Sequence, residues 1–111
     1  MAQYYKVFGN LKRPDGMSFA DFKTWWREVH VPRVTKWPGL VAYDLNFALN
    51  ENEPFDGVAV VWFDDKDAAL KVFKTPEGGD ARKGAEAESG MSAIFLTEEV
   101  VIVPRPETVQ A

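Results

Sequence analysis

Hydrophobic and polar positions change their period several times along the chain, and each change predicts a new element. Residues 4–12, YYKVFGNLK, alternate aromatic and β-branched residues with polar ones, which is typical of a β-strand. A Pro-Asp-Gly turn at 14–16 follows. Ser18 and Asp21 then stand at the spacing of a capping box, so we expect a helix to begin at this point.

The predicted helix has one apolar stripe and a clear end. Phe22, Trp26, Val29 and Arg33 follow one another at helical spacing, so we expect this stripe to face a sheet. The pair Pro38-Gly39 ends the segment because proline and glycine interrupt regular structure.

Two further strands are predicted in the middle of the chain. Residues 40–50, LVAYDLNFALN, alternate strictly, and this places Tyr43, Leu45, Phe47 and Leu49 on one face of a strand. Residues 57–63, GVAVVWF, are nearly all apolar, as expected of a central strand that is covered on both faces.

The second half of the chain predicts another helix and a last strand. Asp64 or Asp65 caps a helix that runs to Phe73. Residues 75–90 are small and polar, and their glycines predict only a short helix inside a mobile excursion. Residues 93–103, AIFLTEEVVIV, read as a strand with a bulge near Thr97.

The resulting order is strand, helix, strand, strand, helix, strand. This is the βαββαβ unit of an α+β ferredoxin-like plait, with an antiparallel sheet and both helices on one face. Phe8, Val60 and Trp62 alternate onto the uncovered face. Aromatic residues make up 14% of this small chain, more than one monomer readily buries. We therefore expect a homodimer whose two sheets face each other as a dimeric α+β barrel.

Length and charge restrict the classes of function. We expect residues 1–104 to form one domain and 105–111 a tail. The net charge is −4, and Lys and Arg are scattered, so nucleic acid is not an expected partner. No stretch approaches the roughly 20 apolar residues of a membrane span, and no signal segment opens the chain, so no membrane partner and a cytoplasmic location are expected.

The residue inventory also restricts the chemistry. The chain has no cysteine and one histidine, which excludes thiolate sites and a multi-imidazole metal site within one chain, so we predict no metal. No G-x-G-x-x-G follows a strand, so a nicotinamide or flavin fingerprint is absent, and we predict no cofactor.

His30 and Tyr43 are the candidate catalytic residues. A short connection returns the chain from the helix of His30 to the strand of Tyr43, so their side chains can share one cavity. An unperturbed imidazole titrates near pH ~6.5 and is a good general base, while a phenol can donate to a developing enolate oxygen. The competing interpretation is that both rings are packed in the core. Asp44 points to the opposite face from Tyr43, which disfavours a dyad with His30.

Several segments together resemble the EthD-like group of dimeric α+β barrel proteins. They are KRPDGMS at 12–18, FKTWWREVHVPRV at 22–34, PGLVAY at 38–43 and PEGGDA at 76–81, and the likeness extends over roughly residues 1–103. Similar domains include methylmuconolactone isomerases and fungal polyketide dehydratases and cyclases. The resemblance implies cofactor-free proton transfer on a small ring compound by a helix histidine and a strand tyrosine, here His30 and Tyr43.

These observations together predict an isomerase, lyase or cyclase acting on a small aromatic, lactone or polyketide-like substrate. His30 takes the proton and Tyr43 holds the oxygen. The predicted substrate-binding residues are Tyr5, Phe22, Trp26, Phe47 and Val61. The related isomerases carry a cysteine where this chain has Val61, which puts their particular isomerisation in doubt.

Two alternatives remain open. One is a monooxygenase of the same fold, either cofactor-free or haem-using, with His30 as base or axial ligand. The other is a non-catalytic small-molecule binder or an accessory protein.

Overall fold

The element order found in the structure is the predicted one. A computed structural model describes residues 3–89 and 91–106, so part of the predicted tail, 107–111, lies outside the described residues. The strands are β1 Tyr5–Leu11, β2 Leu40–Phe47, β3 Gly57–Phe63 and β4 Met91–Glu98. The helices are α1 Phe19–Trp25, α2 Val31–Val34, α3 Lys66–Lys71 and α4 Pro76–Ser89, with a π-helical turn Trp26–His30 and a 3₁₀ turn Val72–Lys74.

The strands form one antiparallel sheet in the order β2-β3-β1-β4. Val61 of β3 pairs with Val7 of β1 on one side and Tyr43 of β2 on the other. The fold is therefore the predicted α+β ferredoxin-like plait. The mostly apolar β3 is an interior strand, as its composition predicts.

The two faces of the sheet differ in what covers them. On one face, Val7, Val61 and Phe63 are buried with Val34 and Val72 of the helical layer. On the other face, Phe8 stacks on Phe95 with 5.6 Å between the ring centroids. Since Phe95 is half exposed, this second face keeps an accessible aromatic surface.

The C-terminal segment partly covers this second face. The Arg105 guanidinium lies 4.2 Å from the centroid of the Trp62 ring, and Lys6 Nζ lies 3.8 Å from it. Lys6 also forms an ion pair with Glu99 over 2.8 Å. Trp62 is consequently buried within one chain. Val60 is buried as well, and both residues point to the face that the sequence assigns them.

The first helix begins as predicted, but its hydrogen bonding then changes from α-helical to π-helical. Ser18 Oγ accepts a hydrogen bond from Asp21 N–H over 3.0 Å and caps α1. The π-helical turn follows, in which Val31 N–H bonds to the carbonyl of Trp26, five residues earlier. Pro32 is the second residue after this turn, and a wider turn relieves the clash that a proline ring makes with the carbonyl four residues before it.

This widened turn corrects the predicted stripe. A π-turn advances each residue by less than the 100° of an α-helix, so positions four apart return to the sheet face. The buried residues are accordingly Phe22, Trp26, His30 and Val34. Val29 is 38% exposed and Arg33 lies at the margin of the stripe, so the prediction that they form it was wrong.

Strand β2 is shorter than predicted. Tyr43, Leu45 and Phe47 face the helices, but the strand ends at Phe47 and Leu49 is fully exposed. The chain turns away because Ala48 N–H bonds to the carbonyl of Asp56 over 2.9 Å, which closes the loop before β3.

A buried ion pair holds this loop against the end of β1. The Asp56 side chain is 1% exposed and accepts from Arg13 N–H over 2.6 Å and from Arg13 Nη1 over 3.1 Å. Asp56 N–H in turn donates to the carbonyl of Leu11 over 2.8 Å. A buried carboxylate is tolerated here because its charge is paired and hydrogen-bonded.

The second helical region is more extensive than predicted. Asp65, one of the two candidates, caps α3 by accepting from Asp67 N–H over 2.9 Å. The short helix predicted after it was wrong, because α4 has 14 residues and packs against α2 and the 3₁₀ turn. Thr75 Oγ1 caps its first turn by accepting from Gly78 N–H over 3.1 Å, and buried Ala81 and Ala85 allow a close approach.

Strand β4 also departs from the prediction at its end. It stops at Glu98, because β1 offers no further partner once Glu99 N–H has bonded to the Tyr4 carbonyl over 3.0 Å. The irregular register lies opposite Asn10 and Leu11, so the bulge predicted near Thr97 was wrong. Residues 100–103 follow as an exposed apolar segment. Within the described ranges 3–89 and 91–106, no helix has the length and apolar character needed to cross a membrane.

Candidate functional site

A narrow cavity lies between the sheet and the helical layer. Its volume is about 30 Å³, and residues of all four strands and of the helical layer line it. Each water molecule in a cavity needs about 10–15 Å³ by this measure, so the cavity has room for two or three.

Gly9 forms part of the cavity wall on β1. It is buried, and it alternates with Val7 and Leu11 on the face that the helices cover. A side chain at this position would project into the cavity. Glycine in a strand interior is common where a ligand or another chain segment approaches the backbone closely.

His30 lies against two tryptophan rings beside the cavity. Its ring centroid is 4.3 Å from that of Trp26 and 5.4 Å from that of Trp25, and the Trp25 ring is stacked at 19°. The side chain is buried and lines the cavity. The π-helical turn brings His30 to the middle of the stripe, because four residues make nearly one full turn there, whereas in a regular helix Val29 and His30 would lie on either side of the line through Trp26.

Tyr43 reaches the same cavity from β2. Trp26 Nε1–H donates to the Tyr43 hydroxyl oxygen over 3.2 Å. Burial raises the pKa of Tyr43 well above its ordinary value; the bond from Trp26 offsets this in part, and the Asp44 charge adds to it. Tyr43 is therefore a neutral phenol near pH 7, whose own hydrogen can be donated to an acceptor in the cavity.

The structure brings together only some of the predicted site residues. His30, Tyr43, Trp26 and Val61 line the cavity. Three others do not line it. Phe22 and Phe47 pack in the core cluster that contains Trp26, and Tyr5 packs against the core cluster that contains Val7 and Phe63. Asp44 points to the opposite face, where it accepts from Trp62 Nε1–H over 3.2 Å, in agreement with strand alternation.

Three other residues line the cavity although the sequence did not predict them as site residues. Trp37 and Phe73 form an edge-on pair with 5.4 Å between their centroids, and the Arg82 guanidinium lies 5.1 Å from the Phe73 centroid. All three line the cavity. Arg82 could not be placed because the length of α4 was not predicted, whereas the isolated Gly9 within a strand pattern was a signal that the sequence offered.

The described side chains do not form a metal site. Among residues whose placement the structure gives, no group of three or more His, Asp or Glu side chains is arranged to hold an ion.

The sequence matches the pattern of the EthD domain over residues 14–88. This match covers well over half of the 111 residues, and the chain belongs to the EthD family. No curated protein matches the sequence significantly.

Solved structures share the fold at low sequence identity. An ethyl tert-butyl ether (EthD) family protein from Bacillus halodurans is 20% identical, with a TM-score of 0.76 over 87% of this chain and 99% of that one. SnoaB from Streptomyces nogalater, a cofactor-independent oxygenase, is 16% identical, with a TM-score of 0.61 over 96% and 100%. A dimeric ferredoxin-like protein from Thermobifida fusca is 12% identical, with a TM-score of 0.66 over 91% and 93%.

Proposed function

We propose that this protein is a cofactor-independent enzyme that transfers a proton on a small ring compound, as an isomerase, lyase or cyclase. His30 removes a proton from carbon, and Tyr43 donates a hydrogen bond to the oxygen on which negative charge develops. The observation that carries the proposal is that the one histidine and a neutral, buried phenol line the same apolar cavity. A general base and a positioned donor are sufficient for enolisation.

Trp26 supports both proposed roles. Its ring contacts His30, and its Nε1–H occupies one acceptor position of the Tyr43 hydroxyl. The phenol therefore has a fixed orientation before a ligand arrives. Preorganised donors stabilise developing charge most strongly where water is excluded, and the largely apolar lining of this cavity meets that condition.

Ligand entry requires the cavity to widen. An apolar cavity of roughly 150 Å³ holds a benzene ring, whereas this one measures about 30 Å³. Phe73 is partly exposed and Arg82 exposed, so the wall formed by the 3₁₀ turn and α4 is the side open to solvent. We place the entrance there.

A cofactor-independent oxygenase is the second candidate function. SnoaB, which has the same fold, is a cofactor-independent oxygenase, and removal of a proton from the substrate is the step that His30 and Tyr43 would share in either chemistry. The haem-using variant fits poorly, because the cavity beside His30 is far smaller than a porphyrin and two indole rings flank the imidazole.

Proton exchange tests the proposal without knowledge of the natural substrate. Cyclic β-diketones, γ-lactones and dihydric phenols are incubated with the protein in D₂O, and loss of the exchangeable C–H signal is followed by ¹H NMR. We expect the protein to accelerate exchange for at least one compound. His30→Asn and Tyr43→Phe should each slow it about 100-fold.

Tyr5→Phe is the matched control, because Tyr5 is a tyrosine on the helix-facing side that does not line the cavity. It should retain full exchange. Dioxygen uptake measured with the same compounds distinguishes the two activities, because an oxygenase consumes dioxygen and an isomerase does not. Binding without exchange or uptake would favour a non-catalytic binding protein, and full exchange by His30→Asn would contradict the role of His30.

We also propose that the protein is a homodimer formed through the second face of the sheet. Fold neighbours are described as dimeric ferredoxin-like proteins. The stacked pair Phe8 and Phe95 leaves half of the Phe95 side chain exposed on that face. An exposed aromatic side chain on a sheet face that the C-terminal segment covers only in part is the kind of surface that a second copy buries.

A further inference from the structure

Trp37 places an unused hydrogen-bond donor at the cavity. Its Nε1–H is buried and has no hydrogen-bond partner in the part of the chain that the structure describes. The side chain lines the cavity and is surrounded by apolar residues such as Val34 and Phe73. Buried N–H groups are nearly always paired, so this exception requires an explanation. A ligand oxygen in the cavity is an available acceptor.

Arg82 places a cation at the same part of the cavity. The guanidinium lies 5.1 Å from the Phe73 ring, and the Trp37 ring meets Phe73 edge-on at 5.4 Å. Phe73 thus contacts both donors. Arg82 is the one lining residue with a permanent charge among those the structure describes. Its planar guanidinium matches the geometry of a carboxylate.

The polar groups of the cavity therefore fall into two sets. His30 and Tyr43 both contact Trp26, whereas Trp37 and Arg82 both contact Phe73. We propose that the ligand has two polar ends, and that Trp37 and Arg82 bind the second end, a carboxylate. The substrate is then a small ring acid with an enolisable or phenolic group. This inference rests on the proposed function of the cavity and deepens it.

The NMR signals of the indole N–H groups in a ¹⁵N-labelled sample report on both ends of the proposed ligand in one experiment. The chain has four tryptophans. Trp26 reports on the Tyr43 end and Trp37 on the second end, while Trp62 is bonded to Asp44 on the other face of the sheet and serves as an internal control. Trp25→Phe, Trp37→Phe and Trp62→Phe each assign one signal, and the remaining signal is that of Trp26. The probes are benzoate and neutral benzyl alcohol, which share one ring.

We expect benzoate to shift the Trp37 signal downfield and to leave the Trp62 signal in place. Benzyl alcohol should bind about tenfold more weakly, because it offers no charge to the guanidinium. Arg82→Gln should abolish this preference for benzoate. Lys83→Gln is the matched control, since it removes the same charge from the next, exposed residue of α4, which does not line the cavity. It should leave the preference unchanged.

The two proposals fail in different ways. If benzoate shifts Trp26 but not Trp37, or shifts neither, the carboxylate site is wrong. If Arg82→Gln and Lys83→Gln affect benzoate binding equally, the site is also wrong, because the effect is then one of net charge. If Trp37 shifts as expected while His30→Asn retains full proton exchange, the carboxylate site stands and the proposed catalytic role fails.

Discussion

Trp26 Nε1–H donates a hydrogen bond to the Tyr43 hydroxyl oxygen over 3.2 Å, and this bond joins the helical layer to β2 at the candidate site. Trp26 also contacts His30, with 4.3 Å between the ring centroids. One indole therefore positions both proposed catalytic groups. The relationship can be tested independently of any substrate.

A double-mutant cycle measures the Trp26–Tyr43 bond. We expect Trp26→Phe to lower the free energy of unfolding by about 2–3 kcal/mol, because it removes buried volume and leaves the Tyr43 hydroxyl without its donor. Tyr43→Phe should cost about 1 kcal/mol. Urea unfolding of both single variants and the double variant should give a coupling energy of about 1 kcal/mol. Additive effects would mean that the bond contributes nothing to stability.

Alkaline pH provides a second test of Tyr43. Burial raises its pKa in the folded state above the value of about 10 in the unfolded chain, so the unfolded state loses its proton first. The contribution of Tyr43 to stability is therefore complete below about pH 10 and is lost as the pH rises above it. Tyr43→Phe should lose less stability than the wild type between pH ~10 and ~12 in urea unfolding. Parallel pH profiles would contradict the raised pKa.

Two adjacent glycines in the first turns of α4 should respond differently to alanine. A Cβ on Gly78 would clash with the Val72 carbonyl oxygen, whereas one on Gly79 would lie 3.4 Å from the Phe73 carbonyl oxygen. We expect Gly78→Ala to cost about 3 kcal/mol or to prevent folding. Gly79→Ala should be neutral or stabilise by up to about 1 kcal/mol, because alanine favours the helix. Equal effects in thermal unfolding would contradict the close packing of α4 on the 3₁₀ turn.

The phase of the first helix can be tested with two valines. Val29 is 38% exposed and Val34 is 2% exposed, although the regular helical period assigns Val29 to the buried stripe. We expect Val34→Ala to lower the free energy of unfolding by about 2 kcal/mol and Val29→Ala by less than about 0.5 kcal/mol. If Val29→Ala were the more costly change, Val29 would belong to the buried stripe and the π-helical turn would be absent.

The proposed dimer predicts the effect of a charge on the open face of the sheet. Phe95→Glu should convert the dimer, with twice the 12.5 kDa chain mass, into a monomer in light scattering after size-exclusion chromatography. Leu70→Glu is the matched control, since Leu70 is similarly exposed but lies on α3. It should leave the dimer intact. A dimeric Phe95→Glu variant would place the interface elsewhere.

Local pattern was sufficient to predict much of the fold. Alternation along 40–47 places Tyr43 on the helix-facing side of β2, and the apolar run 57–63 predicts an interior strand. The cap at Ser18 follows from side-chain chemistry one turn away. These features depend on residues that are close in sequence, and the amino-acid sequence alone is therefore sufficient to predict them.

The predictions failed where distant contacts outweigh local preference. Residues 76–89 contain three glycines, which disfavour a helix, yet α4 forms because the remaining residues are mostly good helix formers and buried Ala81 and Ala85 pack it closely on the rest of the protein. The end of β4 was misplaced because it depends on where β1 stops offering hydrogen bonds. Arg82 of α4 lines the cavity, and it was missed because this helix was not predicted at its full length.

The sequence by itself determined the α+β class and the order of strands and helices, and it singled out His30 and Tyr43 as candidates for proton transfer, because periodicity and residue chemistry are local properties. The tertiary structure decided which side chains meet. It turned His30 toward the sheet through a π-helical turn, joined Trp26 to Tyr43, and brought Trp37 and Arg82 to one cavity. Such contacts join residues far apart along the chain, and only close packing of the folded layers specifies them.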